Sequence, residues 1–480
     1  MIERYDVAIV GGGLAGLSVA HRLQQHAPQL DWRLFEASEG FGGKIRTDYV
    51  DHDDGRFIIE AGPDSFVAQK PWLRDLAADL GLAGDLVPTN HSPHPVAILK
   101  HGRLIDLPAG VALIAPTEFG PTLRSPLLSK ADKIRLMGDL VRPARKTDTD
   151  ESLASFVTRR FGRGVLNWVA EPIAAGIYNA DPARLSLAAT FPHLQQIERQ
   201  HGSVIRGLRA MRRRNRPVNS PFFTLDGGMQ TLVDALVWRL EARLESEASV
   251  TAVETRDHSG YRVSFDGRND VLADQVIMAT PPAIAASVLS TVSPLATGGL
   301  AELHSTDSAI VTLACRTGAV RRPLRGYGLV IPAAEHRPIN AVTISSRKIA
   351  NRAPVGWELI RVFVGGHRSP DSMRLDDKAL LGLVQNQLAD LLGLSDQPAF
   401  MRIQRWLGAG PQYEPDHLAR IAAIEASLPP SVHITGGALH GVGLPDVVHH
   451  ARQTADRVLA QVGAERIGQS EELAKGIPSL

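Results

Sequence analysis

The chain has 480 residues, more than one hydrophobic core organises, so two or three domains are expected. Apolar residues make up 44% and charged residues 21%, an ordinary globular balance, and a formal net charge of +1 gives no reason to expect nucleic acid as a partner. The one cysteine, Cys315, excludes a disulfide framework and a cysteine-built metal site and suits a reducing cytoplasm, and no apolar run is long enough for a transmembrane helix.

Residues 6–10 form an apolar, β-branched run that predicts a buried strand. It runs into Gly11-Gly12-Gly13-Leu14-Ala15-Gly16, a helical pattern to residue 25, and a second apolar strand over 32–35 that ends at Glu36. Strand, glycine turn, helix, strand and acid make a dinucleotide-binding unit. Gly11 permits the tight turn, Gly13 lets backbone approach a pyrophosphate, and Gly16 lets the helix sit close to the sheet. The helix N-terminus at Leu14 and Ala15 offers free N–H groups to the diphosphate. Glu36, followed by Ala37, is placed to accept from ribose hydroxyls. The alternative is a glycine-rich turn with no ligand.

A second glycine pair, Gly42-Gly43, then Lys44, follows the acid and would bring more backbone and a cation towards the pyrophosphate. The two motifs together resemble the flavin-binding signature of amine-oxidase-like proteins, which implies FAD. Cys315 is not placed like the C-terminal cysteine that tethers flavin in monoamine oxidases, so the FAD is expected to be noncovalent.

Further along, a strand is predicted over 56–60, a helix over 72–80, and a hairpin over 96–107 with a His101-Gly102 turn. Helical patterns dominate 109–190, notably 130–140, 152–160 and 164–170. Residues 206–216 are the strongest basic run, which reads as an anionic docking patch or as a solvated helix end. A helix over 231–244, paired strands over 250–253 and 261–265, and a core strand over 273–278 follow. Strand-like runs occupy 309–314, 328–331, 341–344 and 359–364, with a helix from 378 to 392. A last strand enters the glycine-rich stretch 436–443, which opens a helix to about residue 462 and could present backbone N–H groups to the other end of the flavin.

These glycine turns are far apart in the chain, so the fold is expected to be α/β plus α+β. A discontinuous Rossmann-like FAD domain would comprise 1–70, 222–290 and 430–462. A mixed-sheet substrate domain would comprise 71–110, 191–221 and 291–429, with a helical subdomain over 111–190 and a mobile polar tail over 463–480.

Several segments together resemble the oxygen-dependent porphyrinogen oxidases, most closely the soluble Gram-positive type. They are Glu60-Ala61-Gly62-Pro63-Asp64-Ser65-Phe66, residues 171–182, Leu185-Ser186-Leu187, Arg405-Trp406, Pro411-Gln412-Tyr413, Thr435-Gly436 and Gly441-Val442-Gly443-Leu444-Pro445-Asp446. The resemblance implies that Gly62, Pro63, Asp64, Ser65, Trp406, Gly436, Val442, Gly443 and Leu444 surround the flavin. It also implies that Ala175, Gly176 and Ile177 line the substrate cleft. The chain departs from the family at 345–350, where aromatic residues are frequent, and at His94-Pro95, where many relatives carry a basic residue.

The implied reaction is six-electron oxidation of coproporphyrinogen III, or of protoporphyrinogen IX, in haem biosynthesis. Hydride passes to flavin N5, and O2 is the acceptor that leaves as hydrogen peroxide. No side chain is required as a catalytic base, and no HExxH, GxSxG or P-loop pattern occurs. The substrate carboxylates call for cationic or backbone donors, and Lys70 and His94 are the candidates. The tetrapyrrole and O2 are the expected partners, with a ferrochelatase or a peripheral membrane contact as further candidates. Competing readings are an amine oxidase or carotenoid desaturase on the same scaffold, or a noncatalytic FAD- or porphyrin-binding protein.

Overall fold

A computed structural model describes residues 2–112, 115–214, 220–256, 260–322 and 324–475. The first sheet gathers strands from both ends and the middle of the chain. Leu244–Glu245, Trp32–Phe35, Arg4–Val10, Val271–Met278 and Val432–Ile434 pair in parallel in that order. Tyr261–Phe265 and Val250–Thr255 extend the sheet antiparallel. The register aligns Val10 with Phe35 and with Met278, and Met278 with Ile434. Four strands therefore end on one edge, and the turns after them converge there, where open α/β sheets bind ligands.

The central strands are apolar on both sides because both faces are covered. Val7 and Ile9 pack with the helices Leu14–His26, Gln230–Leu240 and Leu444–Lys475, and Ala8 and Val10 pack with residues of 282–301 and 417–428.

The second sheet runs Phe400–Pro411, Ser305–Arg316, Trp357–Gly365, Ile339–Ile344, Gly328–Val330, Val96–Lys100, Arg103–Asp106. It is antiparallel except where Gly328–Val330 meets Val96–Lys100. The predicted hairpin closes through His101 and Gly102, both at positive φ, as a two-residue turn of that hand requires. Helix Asp377–Leu392 covers one face. Cys315 is buried in this sheet, and burial pushes its thiol up to about 12.

Between the sheets' contributions lies a helical block with its own core, in which Phe156, Phe161, Leu185 and Leu194 are fully enclosed. Its polar anchor is Arg160, wholly buried, whose Nε donates to Asp139 at 2.6 Å and whose Nη1 lies 3.3 Å from Glu198. Of the basic run, residues 206–214 end the helix Val204–Arg214, and Asn215 and Arg216 lie outside the described residues.

Two expectations are corrected. The last helix does not stop near 462 but continues as Leu444–Lys475, because Ala464, Glu465, Arg466 and Glu471 to Lys475 favour helix; residues 476–480 lie outside the described residues. The long strand Phe400–Pro411 was not expected, since its alternation is carried by half-exposed side chains. No helix among the described residues is long and apolar enough to cross a membrane.

Candidate functional site

At the converging edge the first glycine turn is built for close approach. Gly11 sits at φ +107°, and a Cβ there would fall 2.8 Å from the Ala279 carbonyl oxygen. A Cβ on Gly16 would fall 2.0 Å from the Gly11 carbonyl oxygen, so turn and helix touch through backbone alone. Gly13 differs: the protein atom nearest its Cβ position is the Gly43 Cα, at 3.8 Å. Nothing in the protein demands glycine there.

The helix that follows has no capping side chain and no acid in its first turn, so its dipole and N–H groups face the turn uncompensated. Leu14 and Ala15 open it and are themselves buried. The second glycine pair is tied to the first, with the Gly42 N–H donating to the Gly12 carbonyl at 2.8 Å. Glu36 is half-buried at the mouth and accepts from the Gly12 N–H at 2.6 Å and from the Ser38 N–H at 2.8 Å, while Ala37 is exposed. The Ser38 hydroxyl donates at 2.6 Å to the same oxygen as the Ser38 N–H, which leaves a lone pair on the other oxygen for a hydroxyl donor. The buried hydroxyls of Thr280 and Thr435, just past two of the converging strands, have no protein partner. An uncapped helix N-terminus, an open glycine, orphan hydroxyls and an acid fit a dinucleotide diphosphate with its ribose.

Lys44 turns to the second sheet. Its ammonium donates to the Ala409 carbonyl at 2.6 Å. Its own carbonyl oxygen lies 1.9 Å from where a Gly62 Cβ would be. Trp406 joins the same spot, with Nε1 donating to the Ala61 carbonyl at 2.8 Å. Pro63 and Ser65 flank Asp64, which is enclosed. Burial opposes its charge, but Lys348 at 2.6 Å and Arg361 at 3.0 Å hold its carboxyl well below the usual range.

The third turn, 436–443, holds Gly436 at φ +140° with nothing within 4 Å of its Cβ position. The turn is braced from outside. The Tyr413 hydroxyl donates to the Gly437 carbonyl, and His417 Nε2 bonds the Leu439 carbonyl at 2.8 Å. Gly443 lies against Asp446, Leu444 packs on the core that holds Val7 and Ile9, and Val442 packs on the helical core.

Lys70 is brought to this turn, but as a brace. Its ammonium bonds both Asp446 oxygens at 2.6 Å, so it is not a free carboxylate receptor. His94 stands elsewhere, with Nδ1 3.8 Å from Asp106 at the start of the Val96–Lys100 strand. Of the cleft residues, Ala175 is buried, whereas Gly176 and Ile177 form an exposed edge of helix Glu171–Tyr178, Ile177 being 53% exposed. Tyr178, at the end of this helix, packs in the same core as Val442 and has its ring centroid 6.4 Å from that of Tyr413. The last residue of this helix therefore lies near the third turn, whose Gly437 carbonyl the same Tyr413 bonds.

Sequence reasoning missed Lys348 and Arg361, and it quoted Asp446 in a family-like segment without giving it a role. The signal for Arg361 was present, since a cation inside the apolar strand Trp357–Gly365 needs a buried partner. Lys348 falls in the stretch that departs from the family's aromatic pattern.

A family model for flavin-containing amine oxidoreductases matches residues 14–459. A coproporphyrinogen III oxidase of Propionibacterium freudenreichii subsp. freudenreichii is 35% identical, over 94% of this chain and 90% of its own length. One from Bacillus subtilis (strain 168) is 33% identical, over 94% and 97%. A crystal structure from Exiguobacterium sp. 255-15, provisionally named a protoporphyrinogen oxidase, superposes with a TM-score of 0.85 at 29% identity, covering 96% of this chain and 99% of that one. The family's cofactor is a flavin, and the dinucleotide cradle specifies its FAD form. The chain belongs to the flavin-containing amine oxidoreductases, in the branch that holds the coproporphyrinogen III oxidases, and is an FAD-dependent oxidoreductase.

Proposed function

We propose that this chain oxidises a porphyrinogen, coproporphyrinogen III in preference to protoporphyrinogen IX, to the porphyrin in haem biosynthesis, with O2 as acceptor and hydrogen peroxide as product. The observation that carries this reading is the bare Gly176–Ile177 edge of the helix whose last residue, Tyr178, packs near the third glycine turn. A glycine with nothing within 4 Å of its Cβ position, next to a half-exposed isoleucine, makes a flat apolar ledge suited to a macrocycle. The substrates in the names of the full-length relatives support it.

FAD, when bound, supplies the hydride acceptor. The chain's part is to bind, orient and enclose. We assign the diphosphate to Gly11, Gly13, Leu14, Ala15, Gly16, Gly42 and Gly43, and the ribose to Glu36 and Ala37. Lys44, Gly62, Pro63, Asp64, Ser65, Trp406, Gly436, Val442, Gly443 and Leu444 form the remaining wall. The first sheet's pieces support a discontinuous flavin domain over 1–70, 222–290 and 430–462.

Anaerobic mixing with coproporphyrinogen III, and separately with protoporphyrinogen IX, tests the reaction. The flavin absorbance should bleach, faster with the former. An enzyme that stays yellow with both ends the proposal.

The helical block also carries a surface suited to a peripheral membrane contact. Leu123, Ile134 and Val141 are 49%, 75% and 84% exposed, close in sequence to the exposed Arg124 and Lys130. Co-sedimentation with vesicles containing anionic phospholipid, lost on Ile134→Glu, is the expected result. Equal sedimentation of both proteins removes the contact.

A further inference from the structure

The ledge helix Glu171–Tyr178 is held at its first residue by Arg368, from the loop after strand Trp357–Gly365, and at its end by Asn340 of strand Ile339–Ile344. Strand Trp357–Gly365 ends at the diglycine Gly365-Gly366, and His367 and Arg368 follow. At the helix's first residue, Glu171 is buried and accepts from the Ala333 N–H at 3.1 Å. Arg368 Nε lies 3.4 Å from its other oxygen, and Arg368 Nη1 donates to the Ile331 carbonyl. The arginine side chain is only 8% exposed.

At the other end, Asn179 closes the helix in the left-handed conformation, at φ 51°. Its side-chain oxygen accepts from the Asn340 amide at 3.1 Å, and the same amide donates to the Gly365 carbonyl at 2.8 Å. Gly366 lies so close that a Cβ would fall 2.1 Å from that Asn179 oxygen. Immediately before the helix, residues 166–170 are wound as a π-helix, a rare over-wide turn that is frequent at functional sites.

A buried ion pair is a costly way to fasten a helix, and apolar packing would supply the same stability. What a charged pair and an amide add is selectivity, since Glu171 faces the Arg368 guanidinium across 3.4 Å and the Asn179 oxygen accepts from the Asn340 amide, so each end of the helix is matched to one side chain. Burial pushes Glu171 up and Arg368 down, each opposed by the charge of the other.

We propose that Arg368 and Asn340, acting through Glu171 and Asn179, are positioning residues for the oxidation: they clamp both ends of the ledge helix and so set where the Gly176–Ile177 edge meets the macrocycle. The proposal rests on the porphyrinogen reading of the ledge.

Arg368→Met and Asn340→Ala test it in the FAD-loaded enzyme. Each should keep a full flavin complement, and after photoreduction each should be reoxidised by O2 at the wild-type rate. Anaerobic reduction by coproporphyrinogen III should slow, or its half-saturation rise, by about tenfold. Glu171→Gln added to Arg368→Met should cost no more than Arg368→Met alone, because both act at one joint. Hydrogen exchange at 174–179 should quicken in each variant. Unchanged reduction in a loaded variant, or an equal fall in both half-reactions, overturns the clamp. Should Arg368→Met fail to load flavin, Asn340→Ala decides alone by the same criteria. If wild-type enzyme is bleached by no porphyrinogen, the proposed function fails. The exchange data then judge the clamp separately: unchanged exchange at 174–179 defeats it, and faster exchange confined to that helix upholds it.

Discussion

At the scale of single residues, the glycines of the first turn separate into two kinds by what a Cβ would meet. Gly16 is glycine because the Gly11 carbonyl occupies its Cβ position, whereas Gly13 faces open space. Gly13 also sits at φ −73°, ψ −179°, an extended conformation that a β-branched residue adopts without strain. Gly13→Val should therefore fold as a stable, colourless apoprotein whose melting temperature matches wild-type apoprotein. Gly16→Ala should lose both flavin and stability, by about 1–3 kcal/mol from overpacking. Stoichiometric flavin in Gly13→Val, measured by absorbance after gel filtration, would overturn this assignment of the open space. The spacing of the glycines and the separate roles expected of Gly13 and Gly16 were legible in the sequence, but the atoms each would meet were not, because Ala279 and Gly43 come from other segments.

At the scale of elements, strands buried on both faces declared themselves. Arg4–Val10, Trp32–Phe35 and Val271–Met278 are apolar runs because helices cover both sides of their sheet, and their expected ends fall within two residues of those observed. Phe400–Pro411 escaped notice because it is an edge strand whose residues are half-exposed or exposed, so polar and apolar side chains alternate weakly. The site's side-chain geometry was hidden for a related reason. Asp64 was legible as a motif residue, but its partners Lys348 and Arg361 lie nearly 300 positions away, and only the antiparallel pairing of the second sheet brings them beneath it. Lys70 was chosen as an unattached cation and proved to be a strut, because Asp446 is delivered to it by the last helix. Charge in a sequence shows what must be paired, and topology decides with what.

At the scale of the whole molecule, the same burial that joins distant segments makes the fold sensitive to acid through its histidines. His21 lies inside the first helix, His417 bonds the third turn, His433 sits in the strand Val432–Ile434, and His450 lies in the last helix. Burial, the largest influence on each, lowers all four to about 4, against an unfolded value of about 6.5. A histidine held neutral in the fold binds its proton more readily when unfolded. Its stabilisation is complete above about pH 6.5, falls as pH drops towards 4, and loses nothing further below the folded value. Asp64 runs oppositely in cause but the same way in effect: its depressed carboxyl contributes fully above about pH 4, and that contribution is lost only below it. The urea midpoint should therefore be flat from about pH 8 to 7 and decline between about 6.5 and 4, with each histidine adding a slope of up to about 1.4 kcal/mol per pH unit. Because His417 and His433 brace segments that meet at the flavin edge, flavin release should track that decline and not wait for the carboxylates. His21→Leu, remote from the glycine turns, should shallow the stability slope while leaving the wild-type flavin affinity at pH 7. A midpoint constant down to pH 5, or a His21→Leu slope equal to wild type, would show that these rings are protonated within the fold.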